Sequence, residues 1–382
     1  MRLLTAGESH GPGLVALVDG VPANLPLDPA EIDADLRRRQ LGYGRGGRQR
    51  IERDAARITG GVRQGRTTGG PIALWIDNRD AVNWERVMSV TPVVDPPEPV
   101  TRLRPGHADL AGALKYGHGD VRDVIERSSA RETAARVAGG AVAKALLRLV
   151  GVDVLSETKA IGGVEVVARF DRAAIEASDV RCGDPAASAA MIAEIAAAKA
   201  ARDTLGGIVA LRVTGLVAGL GTFAEWDRRL DGRIAQALMS IQAAKGVQFG
   251  DAFAQARERG SAVHDPIVTR ADGTFARTRN RAGGLEGGIT NGSDVLLEVA
   301  FKPISTLMNP LPSVDLRSGE SAPAHIERSD TCIVPAAGVV CEAMLAFVLA
   351  DALCAKFGED EAGDLVAAVE RYRARLRPIA RR

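Results

Sequence analysis

The apolar run Leu14 to Val18, closed by Asp19-Gly20, predicts a strand. After it, "DPAEIDADLRRRQ" carries helix periodicity, with Asp28 placed to cap it and Pro29 in its first turn. Residues 41–47 form a glycine-rich loop, and "ARITGGVRQGRTTGGPIALWIDN" predicts short strands split by glycine turns. "SVTPVVDPPEPVTRLRPGHADL" is proline-rich and predicts an irregular surface loop. "SSARETAARVAGGAVAKALLRLVG" predicts a long helix, with Ser129 and Glu132 spaced as a capping box. The middle alternates: "VEVVARF" strand, "DPAASAAMIAEIAAAKAARD" helix, "GGIVALRVTGLVAGLG" strand, "WDRRLDGRIAQALMSI" helix, "SDVLLEVAFKP" strand. The final stretch is helical. Its apolar string "GVVCEAMLAFVLADALCAKFG" is interrupted by Glu342 and Asp351, so it predicts a buried amphipathic helix rather than a membrane span. The halves share a strand-then-helix pattern without a strict repeat. The loops 246–293 and 303–330 are long and rich in Gly and Pro, as binding loops are.

Composition adds limits. The chain has 382 residues, 46% of them hydrophobic, enough for a large core. A net charge of +1 gives no global attraction to nucleic acid or to a membrane surface, and neither is expected as a partner. The apolar run at the N-terminus is too short for a signal peptide. Cys182, Cys332, Cys341 and Cys354 form no CxxC pair, which predicts reduced thiols and a cytoplasmic location. Arginine far outnumbers lysine, as GC-rich coding produces, so arginine placement carries information and arginine abundance does not.

Two strings imitate known motifs. Gly7-Glu8-Ser9-His10-Gly11 matches the G-x-S-x-G nucleophile elbow of serine hydrolases. The elbow needs a strand before it and a helix after it, whereas here six residues precede Gly7 and an apolar strand follows. "GYGRGG", residues 42–47, matches the dinucleotide fingerprint but follows a helix, and more arginine comes after it. Around it lie seven arginines between 37 and 53. Arg37, Arg38, Arg50 and Arg53 read as a solvated face. Glycines let the others converge on one ligand, and guanidinium binds carboxylate and phosphate bidentately, so a small polyanion is the expected ligand. His107 and His118 each stand in an H-x-D pattern, but no third ligand set accompanies them and no metal is expected. Arg127, Ser128, Ser129 and Arg131 at a predicted helix start form an anion cradle.

Taken in order, "GESHG", "RRRQ-GYGRG-R", "RPGHAD", "KYG", "RSSARETA-RVA-GA-A", "MSI-A-KGV--GD-F", "GG--GG--NG", "KPIST" and "RSD-C-VPA-GVV-EAM" resemble the chorismate synthase family from residue 1 to about 355. The resemblance implies an α+β fold, a β-α-β sandwich with antiparallel sheets back to back and helices outside. Residues 1–355 would be one catalytic domain and 356–382 a C-terminal helical extension. It implies loss of phosphate from 5-enolpyruvylshikimate 3-phosphate by 1,4-anti elimination, with reduced FMN required although no net redox change occurs. His10 would be the general acid for the departing phosphate. His107 would stabilise the anionic reduced flavin, and Asp330 would manage the proton at its N5. Arg39, Arg45, Arg48 and Arg131 would hold substrate. Arg127, Ser128, Ser129, Gln242, Ala243, Gly287, Lys302, Pro303, Ile304, Ser305, Thr306 and Arg328 match its FMN-binding segments. A homotetramer served by a separate flavin reductase is implied, with NADPH acting only indirectly. The rival readings are a serine hydrolase on Ser9 and a non-catalytic polyanion-binding module.

Overall fold

The computed structural model describes residues 1–47, 51–271 and 273–376. Strands β1 (Arg2–Ala6), β2 (Gly13–Asp19), β3 (Ala56–Gly60) and β4 (Ile72–Asp77) form an antiparallel sheet of order β1-β2-β4-β3. Strands β5 (Asp153–Ile161), β6 (Val164–Glu165), β7 (Gly207–Thr214), β8 (Ala244–Phe249) and β9 (Val295–Phe301) form a second, of order β8-β9-β7-β5-β6, also antiparallel. Each has one apolar face: Leu14, Ala16, Val18, Ile72, Leu74 and Ile76 in the first, and Val295, Leu297, Val299 and Phe301 in the second, are buried.

The helices are α1 (Pro29–Gln40), α2 (Asp109–Tyr116), α3 (Arg122–Ser128), α4 (Thr133–Leu149), α5 (Pro185–Ala200), α6 (Leu230–Met239), α7 (Val334–Phe357) and α8 (Ala362–Arg375). Helix α4 packs on β1, β2 and β4 on one side and on α7 on the other, while α7 packs on β5 and β7. The order of layers is therefore sheet, helices, sheet. The α+β class, the antiparallel sheets and the β-α-β sandwich hold. The sheets are not back to back, and the principal helices lie between them rather than outside. The cause lies in α7: it is apolar around most of its circumference, has no polar face to turn to water, and can only be covered from two sides. It is long and apolar enough to cross a membrane, but it is buried almost throughout as a core helix. The two helices approach closely: a Cβ on Gly140 would lie 2.4 Å from Ala343 Cβ.

Asp28 caps α1 by accepting from Ala30 N at 2.9 Å, with Pro29 in the first turn as expected. Glu342 is not on a polar face. It is fully buried and takes hydrogen bonds from Lys144 Nζ, Arg38 Nη1 and Ser156 Oγ at 2.8, 2.8 and 2.7 Å. Burial alone would raise its pKa, but Lys144, Arg38 and Arg181 hold it well below the carboxylate range. Arg38 is thus an internal cation, not part of a solvated face; Arg37 and Arg53 are exposed. The strand expected at "VEVVARF" is only Val164–Glu165, and the long strand is Asp153–Ile161 before it. The long helix begins at Thr133, because Arg127 and Ser128 end α3 and Ser129 caps a 3-10 turn over Ala130–Glu132. The capping box does not form: Glu132 is taken by Thr5 Oγ1, Arg136 Nε and Gln242 Nε2.

One continuous core spans both sheets and the helical layer and includes Leu365 and Val369 of α8. A satellite cluster of Leu103, Val121, Val124 and Ile125 supports α2 and α3. All four cysteines are free and buried, and burial pushes the Cys332 thiol up to about 11.

Candidate active site

The GESHG turn joins β1 to β2. Gly7 adopts φ +102°, and a Cβ there would lie 2.4 Å from Gly13 O, so the hairpin requires glycine. Asn78, just after β4, clamps the turn by donating Nδ2 to Gly11 O at 2.8 Å and to Glu8 O at 3.1 Å. The context is strand–turn–strand, which is not an elbow, and Ser9 Oγ accepts from Ser129 Oγ at 3.1 Å. His10 is oriented by α3. Its backbone N–H donates to Glu126 Oε2 at 2.8 Å and its Nδ1 pairs with Glu126 Oε1 at 2.8 Å. The ring stacks on Trp84 at 3.9 Å between centroids. Burial would raise the Glu126 pKa, but the His10 hydrogen bonds and Arg122 lower it.

Beneath this turn, Arg39 and Arg131 share the fully buried Asp54. Arg131 Nη1 reaches its two oxygens at 2.7 and 2.8 Å, and Arg39 Nη1 reaches Oδ2 at 3.3 Å. Burial is the main cause that brings the Arg39 pKa down to about 10. Asp54 opposes it, and neighbouring Arg131 and Arg45 add to it. Arg45 lies 3.2 Å from Asp330 Oδ2, and Asp330 Oδ1 accepts from Gly46 N at 2.6 Å. Arg45 Nε is buried without a hydrogen-bond partner, as is Gln242 Oε1.

Opposite, His107 Nδ1 pairs with Asp109 Oδ1 at 2.5 Å. Arg104 braces that carboxylate through Nε at 2.8 Å and reaches Thr306 Oγ1 at 3.0 Å. Burial would raise the Asp109 pKa, but His107 and Arg104 hold it well below the carboxylate range. Lys302 Nζ donates to Gly106 O and to Ser305 Oγ, and its pKa is lowered by burial and by Lys245. The two histidines, Arg39, Arg45, Arg104, Arg131, Gln242, Lys302 and Asp330 line one cavity of about 800 Å³, in the upper part of the range for ligand sites and roomy enough for a cofactor with a substrate.

The chorismate synthase sequence profile matches residues 1–354. The chain is 55% identical over 381 residues to the chorismate synthase of Rubrobacter xylanophilus, covering 99% of this chain and 98% of that protein. It is 54% identical to that of Symbiobacterium thermophilum, with both chains covered completely. The chain belongs to the chorismate synthase family. A crystal structure titled as chorismate synthase superimposes with a TM-score of 0.78 at 40% identity, covering 98% of each chain. The activity is that of a carbon–oxygen lyase of the shikimate pathway. It eliminates phosphate from 5-enolpyruvylshikimate 3-phosphate to give chorismate, and the family needs reduced flavin.

Of the residues matched to the family pattern, His10, His107 and Asp330 line the cavity, as do Arg39, Arg45 and Arg131. Ser128, Ser129, Gln242, Ala243, the stretch Lys302 through Thr306, and Arg328 line it too. Arg48 lies outside the described residues. Arg127 does not line the cavity; it ends α3 and donates to Thr5 O and Gly7 O. Gly287 does not either, sitting in the hairpin turn between Leu285–Glu286 and Ile289–Thr290. His118 is set apart, 3.5 Å from Asp123. The H-x-D of His107 orients an imidazole, and no group of three or more His, Cys, Asp or Glu poised for a metal occurs among the described residues. Trp84, His325 and Glu327 also line the cavity without a sequence signal, as do Arg104, which opens the RPGHAD string without being singled out, and Arg122. Glu126 and Arg122, four apart, were the one readable pair, since that spacing marks a helical ion pair.

Proposed function

We propose that the cavity binds reduced FMN together with 5-enolpyruvylshikimate 3-phosphate, and that its residues divide the elimination between two histidines and an arginine cluster. The observation that carries this reading is the unsatisfied cationic pocket: Arg45 Nε is buried without a partner, and Arg39 is held down to about 10 by burial and by neighbouring guanidiniums. A dianionic phosphate or a carboxylate supplies the acceptor that Arg45 Nε lacks and adds negative charge among the crowded guanidiniums. Lys302, Ser305, Thr306, Gln242 with its unpartnered Oε1, Ser128 and Ser129 line the same cavity and suit a flavin phosphate and ring, with Pro303 and Ile304 as apolar surface beside them.

In the reaction one ring C–O bond to phosphate breaks, one ring proton leaves from the opposite face, and a second ring double bond forms. Arg39, Arg45, Arg48 and Arg131 hold the substrate anions and exclude water from them. His10 Nε2 delivers a proton to the departing phosphate, neutralising charge as the bond breaks. When bound, the reduced flavin supplies an electron-rich ring and a nitrogen able to carry the ring proton. His107, held at Nδ1, presents Nε2 to that side, and Asp330 manages the proton there. Residues 1–355 act as the catalytic domain, and the helix Ala362–Arg375 that follows packs Ala362, Leu365 and Val369 into the same core. Flavin reduction falls to a separate NADPH-linked reductase, and the working form is a cytoplasmic homotetramer.

The test is anaerobic. Protein with dithionite-reduced FMN and the enolpyruvyl substrate is expected to give a transient flavin absorbance and then chorismate. Turnover with oxidised FMN and no reductant overturns the proposal. Substrate binding without chorismate formation under reducing conditions favours the non-catalytic polyanion module.

A further inference from the structure

Glu327 lies in the loop after the short hairpin Pro312–Val314/Ser321–Pro323. Its carboxylate sits between two arginines from distant parts of the chain. Arg122 Nη1 reaches Oε1 at 2.5 Å, and Arg104 Nη1 lies 3.9 Å from Oε2. Each arginine also holds the carboxylate that orients a histidine. Arg122 Nη1 is 3.2 Å from Glu126 Oε1, which takes His10 Nδ1 at 2.8 Å. Arg104 Nε is 2.8 Å from Asp109 Oδ2, and Asp109 Oδ1 takes His107 Nδ1 at 2.5 Å. Charge alternates along the whole path from His10 to His107, and Glu327 is its midpoint. We propose that Glu327 is a positioning residue that couples the proton affinities of His10 and His107.

The argument is electrostatic. With Glu327 ionised, Arg122 and Arg104 each divide their charge between two carboxylates, which leaves Glu126 and Asp109 negative enough to hold a proton-bearing imidazole. Neutralising Glu327 turns each arginine fully onto Glu126 or Asp109 and leaves an unbalanced positive charge in a partly desolvated wall. Both effects lower the affinity of the two rings for a proton. Among the described residues, Glu126 and the Trp84 ring contact His10, and Arg122 stands behind Glu126. Those at His107 are Asp109 and Arg104, with Lys302 bonded to the adjacent Gly106 O. Glu327 is also faced by His325 Nε2 at 3.4 Å. The remaining cavity charges, Arg39, Arg45, Arg131, Arg328 and Asp330, are the same before and after the change. Burial would raise the Glu327 pKa, but His325, Arg122 and Arg104 bring it to about 2, so it is ionised throughout the working range.

The inference rests on His10 and His107 as the proton-handling pair, and its test separates the two ideas. Full-length protein with carbon-13-labelled histidine rings is titrated by NMR as parent, Glu327→Gln and Glu327→Asp. The chain has five histidines, and His118 and His264 serve as internal controls. In Glu327→Gln, His10 and His107 are expected to titrate together about half a pH unit lower, the effect of one charge acting through a high effective dielectric. The controls stay in place, and Glu327→Asp recovers most of the shift because it keeps the charge. Unmoved His10 and His107, movement of only one, or equal movement of all five overturns the coupling. Full turnover by His10→Ala would remove the catalytic reading and leave the titration result standing.

Discussion

Replacing Asp54 by Asn tests the arginine cluster most directly. The side chain has no exposed surface, binds Arg131 Nη1 through both oxygens at 2.7 and 2.8 Å, and reaches Arg39 at 3.3 Å. Asn keeps the shape but removes the one carboxylate that, among the described residues, the two guanidiniums share at contact distance. Arg39, already brought down to about 10 by burial and by its cationic neighbours, then loses the charge that opposes them. Breaking a buried pair and leaving its partner charged costs about 3–5 kcal/mol. For 382 residues, an unfolding entropy of about 2.1 cal/mol/K per residue gives about 0.8 kcal/mol/K, so the melting temperature should fall by about 4–6 °C. Scanning calorimetry on parent and variant reads this directly. The same argument predicts that inorganic phosphate restores part of the loss, raising the variant's melting temperature more than the parent's, because an anion now replaces the missing carboxylate. An unchanged melting temperature, or an equal phosphate effect in both proteins, refutes the reasoning.

His10→Ala should lower kcat by about 10²–10⁴ while reduced flavin still binds, and Ser9→Ala should keep measurable turnover; rapid-quench kinetics and flavin titration read both. A fluorophosphonate that labels Ser9 and abolishes activity would restore the hydrolase reading. Stability should also fall in acid. The folded-state pKa of Glu327 lies near 2 against an ordinary 4.5, so its contribution is present above about 4.5 and is lost as pH drops from there toward 2. Urea midpoints measured from pH 6 down to pH 3 should therefore decline less steeply for Glu327→Gln than for the parent, and identical slopes would count against the ion pairs.

Much of the molecule was legible along the chain because local physics decides it. Asp28-Pro29 starts α1 by side-chain capping and a preset φ, and the apolar runs of β2, β7 and β9 are strands wherever they are placed. The ordered motifs located His10, Arg39, Arg45, His107 and Asp330 without any geometry. Tertiary structure alone decided the layer order, since an all-apolar helix states that it is buried but not between which surfaces. It decided that Arg38 and Glu342, 304 residues apart, neutralise one another inside the core. It broke the helix expected from Ser128 onward, because Glu132 found better partners in Thr5 and Arg136 than in a reciprocal cap. The carboxylates that orient the two histidines divide the same way. Asp109 stands two residues from His107, so the pair was visible in the H-x-D pattern, but not that the carboxylate orients the imidazole. Glu126 stands 116 residues from His10, and only the packing of α3 against the β1–β2 turn brings the two together.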